Sequence, residues 1–155
     1  MVYIGSSVCA SSNQPHLPQS IETIKIRLAR LARERGMSFK AVGIALDWAP
    51  APGIEHLAKF GLFDEVSAGY NWGNTLALRY LWSEAPARAS TPQVVVYQRE
   101  LIAPTDSGDV LHYAELERRR LVAKIGSGDI IEWAASGVQL PKEEGDTHFT
   151  QEALQ

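Results

Sequence analysis

A chain of 155 residues, 45% apolar and 21% charged, has the size and balance of one globular domain with a substantial core. No run of about 18 apolar residues occurs, so no membrane span is expected. The net charge of −3 resides at the end of the chain, where Lys142 stands against Glu143, Glu144, Asp146 and Glu152; the neutral body gives no electrostatic case for nucleic acid.

That division predicts a domain over residues 1–140 and an acidic, solvated tail without fixed structure over 141–155. The opening Met-Val-Tyr-Ile-Gly-Ser has no basic stretch followed by an apolar one, unlike a secretory leader. Cys9 is the single cysteine, so no internal disulfide can form. Both features point to a reducing, cytoplasmic location.

In chain order, the apolar residues 2–5 predict a buried first strand, and the Ser/Asn/Pro-rich stretch 6–18 a loop leading into a helix. Over 21–34, Ile21, Ile24, Leu28, Leu31 and Ala32 share one stripe at helical spacing, with Gly36 as the stop; Ile26 falls on the polar side. A second strand is expected over 39–48, apolar enough to be covered on both faces. Residues 49–53 (Ala-Pro-Ala-Pro-Gly) read as a rigid loop, 54–60 as a short helix and 63–68 as a third short strand. A helix over 71–82 takes Asn71 as its cap.

A Pro/Ala loop over 84–90 precedes Thr91-Pro92 and the strong strand Val94-Val95-Val96-Tyr97. Residues 106–109 predict a turn. Residues 110–125 fit either one long returning strand or a strand with a helical insert. A last helix over 130–135 ends at Gly137. The alternating early half predicts parallel pairing, and the late half a hairpin followed by a helix. The expected class is α/β, with a central mixed sheet of four or five strands flanked by helices.

The reactive candidate is Cys9, which follows a strand and precedes a helix. A helix starting close behind it would favour the thiolate, and Ser11, Ser12 and Asn13 could donate hydrogen bonds to the sulfur. Against this stands the common role of a lone cysteine as a small buried apolar residue. His16, His56, His112 and His148 show no metal-ligand spacing, and no metal site is expected. Asp47 ends the second strand as either a buried acid near Cys9 or a solvated strand end. Residues 69–74 (Gly-Tyr-Asn-Trp-Gly-Asn) could line a groove with Trp72, or simply cap a helix on a core tryptophan. Arg118-Arg119-Arg120 reads as wet surface, and Gly126-Ser127-Gly128-Asp129 as a helix start without a full phosphate-loop pattern.

A first strand, then Cys-Ala-Ser-Ser at 9–12, Pro18 at the next helix start, Thr91-Pro92 before a strand, and a closing strand and helix around 121–126 together resemble the thioredoxin-like superfamily, over residues 1–138 as an ordering of elements. The resemblance implies a cis Thr91–Pro92 bond with Pro92 beside Cys9. Ser12 stands where the family has its second cysteine, so the site is similar to single-cysteine Cys-x-x-Ser members. What this implies is a monothiol exchange or deglutathionylation activity. Cys9 and Ser12 would be catalytic, and Thr91, Pro92 and Trp72 would contact a protein disulfide, glutathione or a partner protein. It needs no cofactor beyond an external thiol such as glutathione, for which Arg88 and Arg99 are the candidate holders. Ser6-x-x-Cys9 also faintly resembles the peroxiredoxin Thr-x-x-Cys, but the proline that family places upstream is missing. Two further expectations stand beside the enzyme: a non-catalytic protein-binding module using Tyr70, Trp72 and Trp82, and a homodimer through Ile26 or an exposed edge of the late hairpin.

Overall fold

A computed structural model describes residues 1–83, 88–102 and 114–141. The apolar runs form strands β1 (Val2–Gly5), β2 (Val42–Ala45), β3 (Glu65–Ala68), β4 (Gln93–Ile102) and β5 (Ala114–Ile125). The helices are α1 (Leu17–Glu34), α2 (Pro50–Ala58), α3 (Thr75–Ala77) and α4 (Ser127–Ala135). The strands join in one open, mixed, five-stranded sheet of order β3-β2-β1-β4-β5. β2 pairs parallel with both β1 and β3, while β4 runs antiparallel to both β1 and β5. The protein is thus α/β, with the parallel half first and the hairpin second.

Successive side chains of a strand point to opposite faces, and both faces of this sheet are covered. Tyr3 and Ala45 face a core built with Leu17, Ile21, Ile24 and Leu28 of α1, Leu57 of α2, and Ile130 and Trp133 of α4. Val2, Ile4, Val42 and Ile44 face Ala77, Tyr80 and Leu81 on the other side. The apolar stripe of α1 is therefore buried, and Ile26 on its outer side is 67% exposed. Lys25 is the polar intruder on the inner side. Its ammonium donates to the carbonyls of Phe60 (2.7 Å) and Leu62 (2.8 Å) and pairs with Glu22, which satisfies its buried charge.

Several expectations change. Residues 49–53 are not a rigid loop: α2 begins at Pro50, because proline in a first helical turn forfeits no hydrogen bond. Gly53 lets this helix lie close on the sheet, since a Cβ there would stand 2.9 Å from Ala45 Cβ and 3.0 Å from Ala68 Cβ. β2 is shorter than the apolar run 39–48, and α1 starts four residues before the 21–34 stripe, with Pro18 in its first turn. Asn71 lies in a 3₁₀ turn (Asn71–Gly73). The cap is Asn74, whose side chain accepts from Leu76 N and Ala77 N before a π-helical turn over Leu78–Trp82. Residues 114–125 form one strand with no helical insert, and register shifts fall at Val96/Tyr97 and Glu100/Leu101. The 106–109 turn, His112, His148, residues 84–87 and all of the expected tail except Pro141 lie outside the described residues. Among the described residues no helix is long and apolar enough to cross a membrane.

Candidate functional site

The Cys9 loop is fixed by short-range bonds that its own sequence supplies. Cys9 N–H donates to Ser6 O (3.3 Å), closing a turn right after β1. The Asn13 amide donates to Ser7 O (2.9 Å) and Cys9 O (2.8 Å), and accepts from the Lys59 ammonium (3.2 Å). Asp47 proves to be a buried acid, not a solvated strand end. It is 4% exposed, and its carboxylate accepts from the Ser7 backbone N–H (3.2 Å) and the Ser7 hydroxyl. The segment just after β2 therefore holds the loop that follows β1.

Antiparallel pairing then brings a distant segment to the same place. Ile4 lies opposite Gln93, so the end of β1 meets the start of β4. The Thr91–Pro92 bond is cis. The Cys9 thiol donates to the Thr91 carbonyl at 3.4 Å. On the remaining side, the Ser11 hydroxyl lies 3.0 Å from that of Ser127, at the start of α4. Cys9, Ser12, Thr91 and Pro92 are thus brought together although 82 residues separate Cys9 from Thr91.

Cys9 is half-buried and free. Burial on its own raises the thiol pKa. Hydrogen bonds from the Thr91 and Ser12 hydroxyls and the Ser12 and Ser11 backbone N–H groups outweigh burial and hold the thiol below its ordinary value. The donors come from a 3₁₀ turn, Ser11–Asn13, and α1 begins only at Leu17. Activation is therefore local hydrogen bonding, rather than the end of a long helix placed directly behind the sulfur.

Beneath the loop lies a pair that sequence spacing did not announce. Tyr3 is fully buried and His56 is 1% exposed, and the Tyr3 hydroxyl lies 3.3 Å from His56 Nε2. The Ser12 hydroxyl, also fully buried, accepts the Ser6 backbone N–H (3.4 Å). Burial, reinforced by the neighbouring Cys9 charge, pushes the Tyr3 phenol well above its usual range. Gly5 makes room for the pair: a Cβ there would meet the Tyr3 hydroxyl and stand 2.8 Å from His56 Nε2. Gly5→Ala is expected to cost about 1–3 kcal/mol in urea unfolding by overpacking two rigid rings. A change within 0.5 kcal/mol would show that the rings yield freely.

His56 also couples the site to pH. Burial first, then the nearby Lys59, lowers its pKa to about 4, against partial opposition from Asp47. The unfolded chain, with an ordinary histidine near 6.5, therefore binds the proton first as pH falls. His56 contributes stability that is complete above about pH 6.5 and is lost on acidification towards pH 4, on the order of 2–3 kcal/mol in all. Urea unfolding at pH 7 and pH 4.5 should show this loss in the wild type and less of it in His56→Gln. Equal losses in the two proteins would remove the assignment.

Other candidates sit elsewhere. Trp72 packs edge-to-face on Trp82 (5.8 Å) against the sheet face opposite Tyr3, and its carbonyl accepts from Trp82 Nε1. Arg99 is bound to Glu115 (2.6 Å) and the Tyr80 hydroxyl (3.3 Å), well along β4 from Cys9. Arg88 is exposed, and its carbonyl accepts from Gln93 Nε2 (2.6 Å). An apolar cavity of about 460 Å³ between Met1, Leu28, Phe39, Tyr97 and Leu121 lies at the opposite end of the sheet from the thiol. Among the described residues no group of three or more His, Cys, Asp or Glu side chains could hold a metal. No known protein family, curated protein or solved structure matches the chain.

Proposed function

We propose that this chain is a thioredoxin-like protein that exchanges thiols and disulfides through Cys9 alone. The observation that carries this reading is the half-buried Cys9 sulfur set against Thr91 and surrounded by hydrogen-bond donors from residues 11–12. The closing β5–α4 unit supports it as well, since Ser127 of α4 is bonded to the cysteine loop. In the reaction, Cys9 thiolate attacks the glutathione sulfur of a mixed disulfide. A Cys9–glutathione bond forms, and the substrate leaves as its thiolate. A second thiol then attacks that bond, releasing Cys9 thiolate and a new disulfide. The external thiol fits a reducing compartment such as the cytoplasm. Oxidised glutathione should load one adduct onto Cys9 in the folded protein, visible by intact mass and removed by reduced glutathione. A folded protein that takes up no adduct would sink the reading.

A protein-binding module is the second reading. It is favoured by Val8 (87% exposed), Trp48 (80%) and Tyr70 (76%), which lie in loops at the same end of the sheet as Cys9. Tyr70 N–H donates to Trp48 O (3.2 Å), so the two aromatic loops are joined. On this reading partner capture survives Cys9→Ser; on the first it does not.

A further inference from the structure

Helix α1 and the hairpin β4–β5 are longer than the strands beside them. The 18 residues of α1 span about 27 Å, whereas the 4 residues each of β1 and β2 span about 13 Å. β4 and β5 run for 10 and 12 residues. β4 pairs with β1 only from Gln93 to Val95, so from Val96 onward it runs past the start of β1. The last turns of α1 and the outer hairpin thus overhang the short strands, and the apolar cavity of about 460 Å³ opens under this overhang. Leu28, Leu31 and Ala32 line it from the helix, and Val96, Tyr97 and Leu121 from the hairpin. Its volume is that of a site for a small molecule.

The charge on the lining has one sign. Arg35, Lys40 and Arg99 contribute to it, and no carboxylate does among the described residues. Lys40 is paired with Glu65 at 3.2 Å. Arg99 is only partly satisfied. Its Nη2 meets Glu115 (2.6 Å) and its Nη1 donates to the Tyr80 hydroxyl (3.3 Å), but its Nε is buried and has no hydrogen-bond partner among the described residues. Glu115 is itself shared with Arg79 (3.3 Å) and Arg118 (3.7 Å), so Arg99 holds only part of that negative charge. A buried donor on a charged group is costly to leave unpaired. A water molecule would satisfy Nε and leave the apolar walls wet; an acceptor carried on an apolar body satisfies both.

We propose that this cavity binds a free, single-headed carboxylate with an unbranched apolar tail of medium length. The head accepts from Arg99 Nε, and the tail lies along Leu28, Leu31 and Leu121. A carboxylate suits a single unpaired donor; a phosphate, with three strong acceptor oxygens and up to two charges, would leave most of them unpaired here. Burial of the tail supplies the affinity, and the charged head selects the acid over the matching alcohol. The site lies at the opposite end of the sheet from Cys9 and stands whether or not the thiol exchange does.

The test is isothermal titration calorimetry of the full chain at neutral pH with decanoate, 1-decanol and hexanoate. Decanoate should bind one molecule per chain with a negative heat-capacity change. Decanol, which lacks the charge, and hexanoate, which lacks four methylenes, should each bind at least about tenfold more weakly. Arg99→Gln should weaken decanoate about 10–100-fold and leave decanol within about twofold. Ala32→Trp leaves the Arg99 contacts in place and puts an indole into the cavity from a half-buried helix position, so it should abolish binding of both; it carries the test if Arg99→Gln does not fold. Circular dichroism confirms that each variant is folded. No saturable decanoate binding to the wild type overturns the proposal. Decanol binding as tightly as decanoate, or decanoate affinity unchanged in either folded variant, overturns it as well.

Discussion

Cys9→Ser is expected to lose all exchange with a glutathionylated peptide, falling to the uncatalysed background, while unfolding within about 0.5 kcal/mol of the wild type. The sulfur is the only group in the loop that can become a soft anion near neutral pH, and no second cysteine exists to take over. The serine hydroxyl nearly matches the thiol in size and can still donate to the Thr91 carbonyl, so the loop keeps its bonds from Asn13 and Asp47. Residual exchange in Cys9→Ser above the background would move the chemistry off the cysteine. A large loss of stability would mean that the residue is mainly structural.

Tyr3→Ala should be the most damaging change near the site for stability, at about 3–5 kcal/mol and on the order of 10 °C in Tm. The ring is fully buried and packs on Phe60 at 4.5 Å and Phe63 at 6.2 Å between centroids. Its removal opens a cavity in the face of the sheet that meets α1 and α2, and strips His56 of its hydroxyl partner. Tyr3→Phe keeps the ring and should cost less, about 1–2 kcal/mol for the lost hydrogen bond. Urea unfolding of both variants checks the order. If Tyr3→Phe cost as much as Tyr3→Ala, the hydroxyl and not the packing would hold the pair.

How much of this was legible in the sequence follows from the range of each signal. Apolar runs such as Val94-Val95-Val96-Tyr97 and the stripe Ile21, Ile24, Leu28 are local, and they marked β4 and α1 correctly. Proline misled at Pro50, because the same residue that breaks a helix interior is at home in its first turn. Asn71 and Asn74 are equally good caps by type; the helix starts at Thr75, so the cap is Asn74, and Asn71 lies in the preceding 3₁₀ turn with a positive φ. The stretch 110–125 has no clear period of its own. Along β5 its side chains are held by pairing with β4, which no local pattern encodes.

The site shows the same split. Cys9 and Ser12 could be read from their position after a strand. Thr91 and Pro92 entered through a resemblance, not through spacing. Tyr3 and His56 stand 53 residues apart, one in an apolar strand and one in a short helix, so neither offered a chemical signal. The one trace of the pair in the sequence was Gly5, a small residue at a strand end, whose reason is visible only once the two rings are placed.

The pH dependence of Cys9 alkylation by iodoacetamide in the folded protein tests the account most directly. The predicted result is a single titration with an apparent pKa clearly below the ~8.5 of a free thiol, because donors from Ser11, Ser12 and Thr91 outweigh burial. An apparent pKa at or above ~8.5, or slow reaction across the whole accessible range, would contradict it.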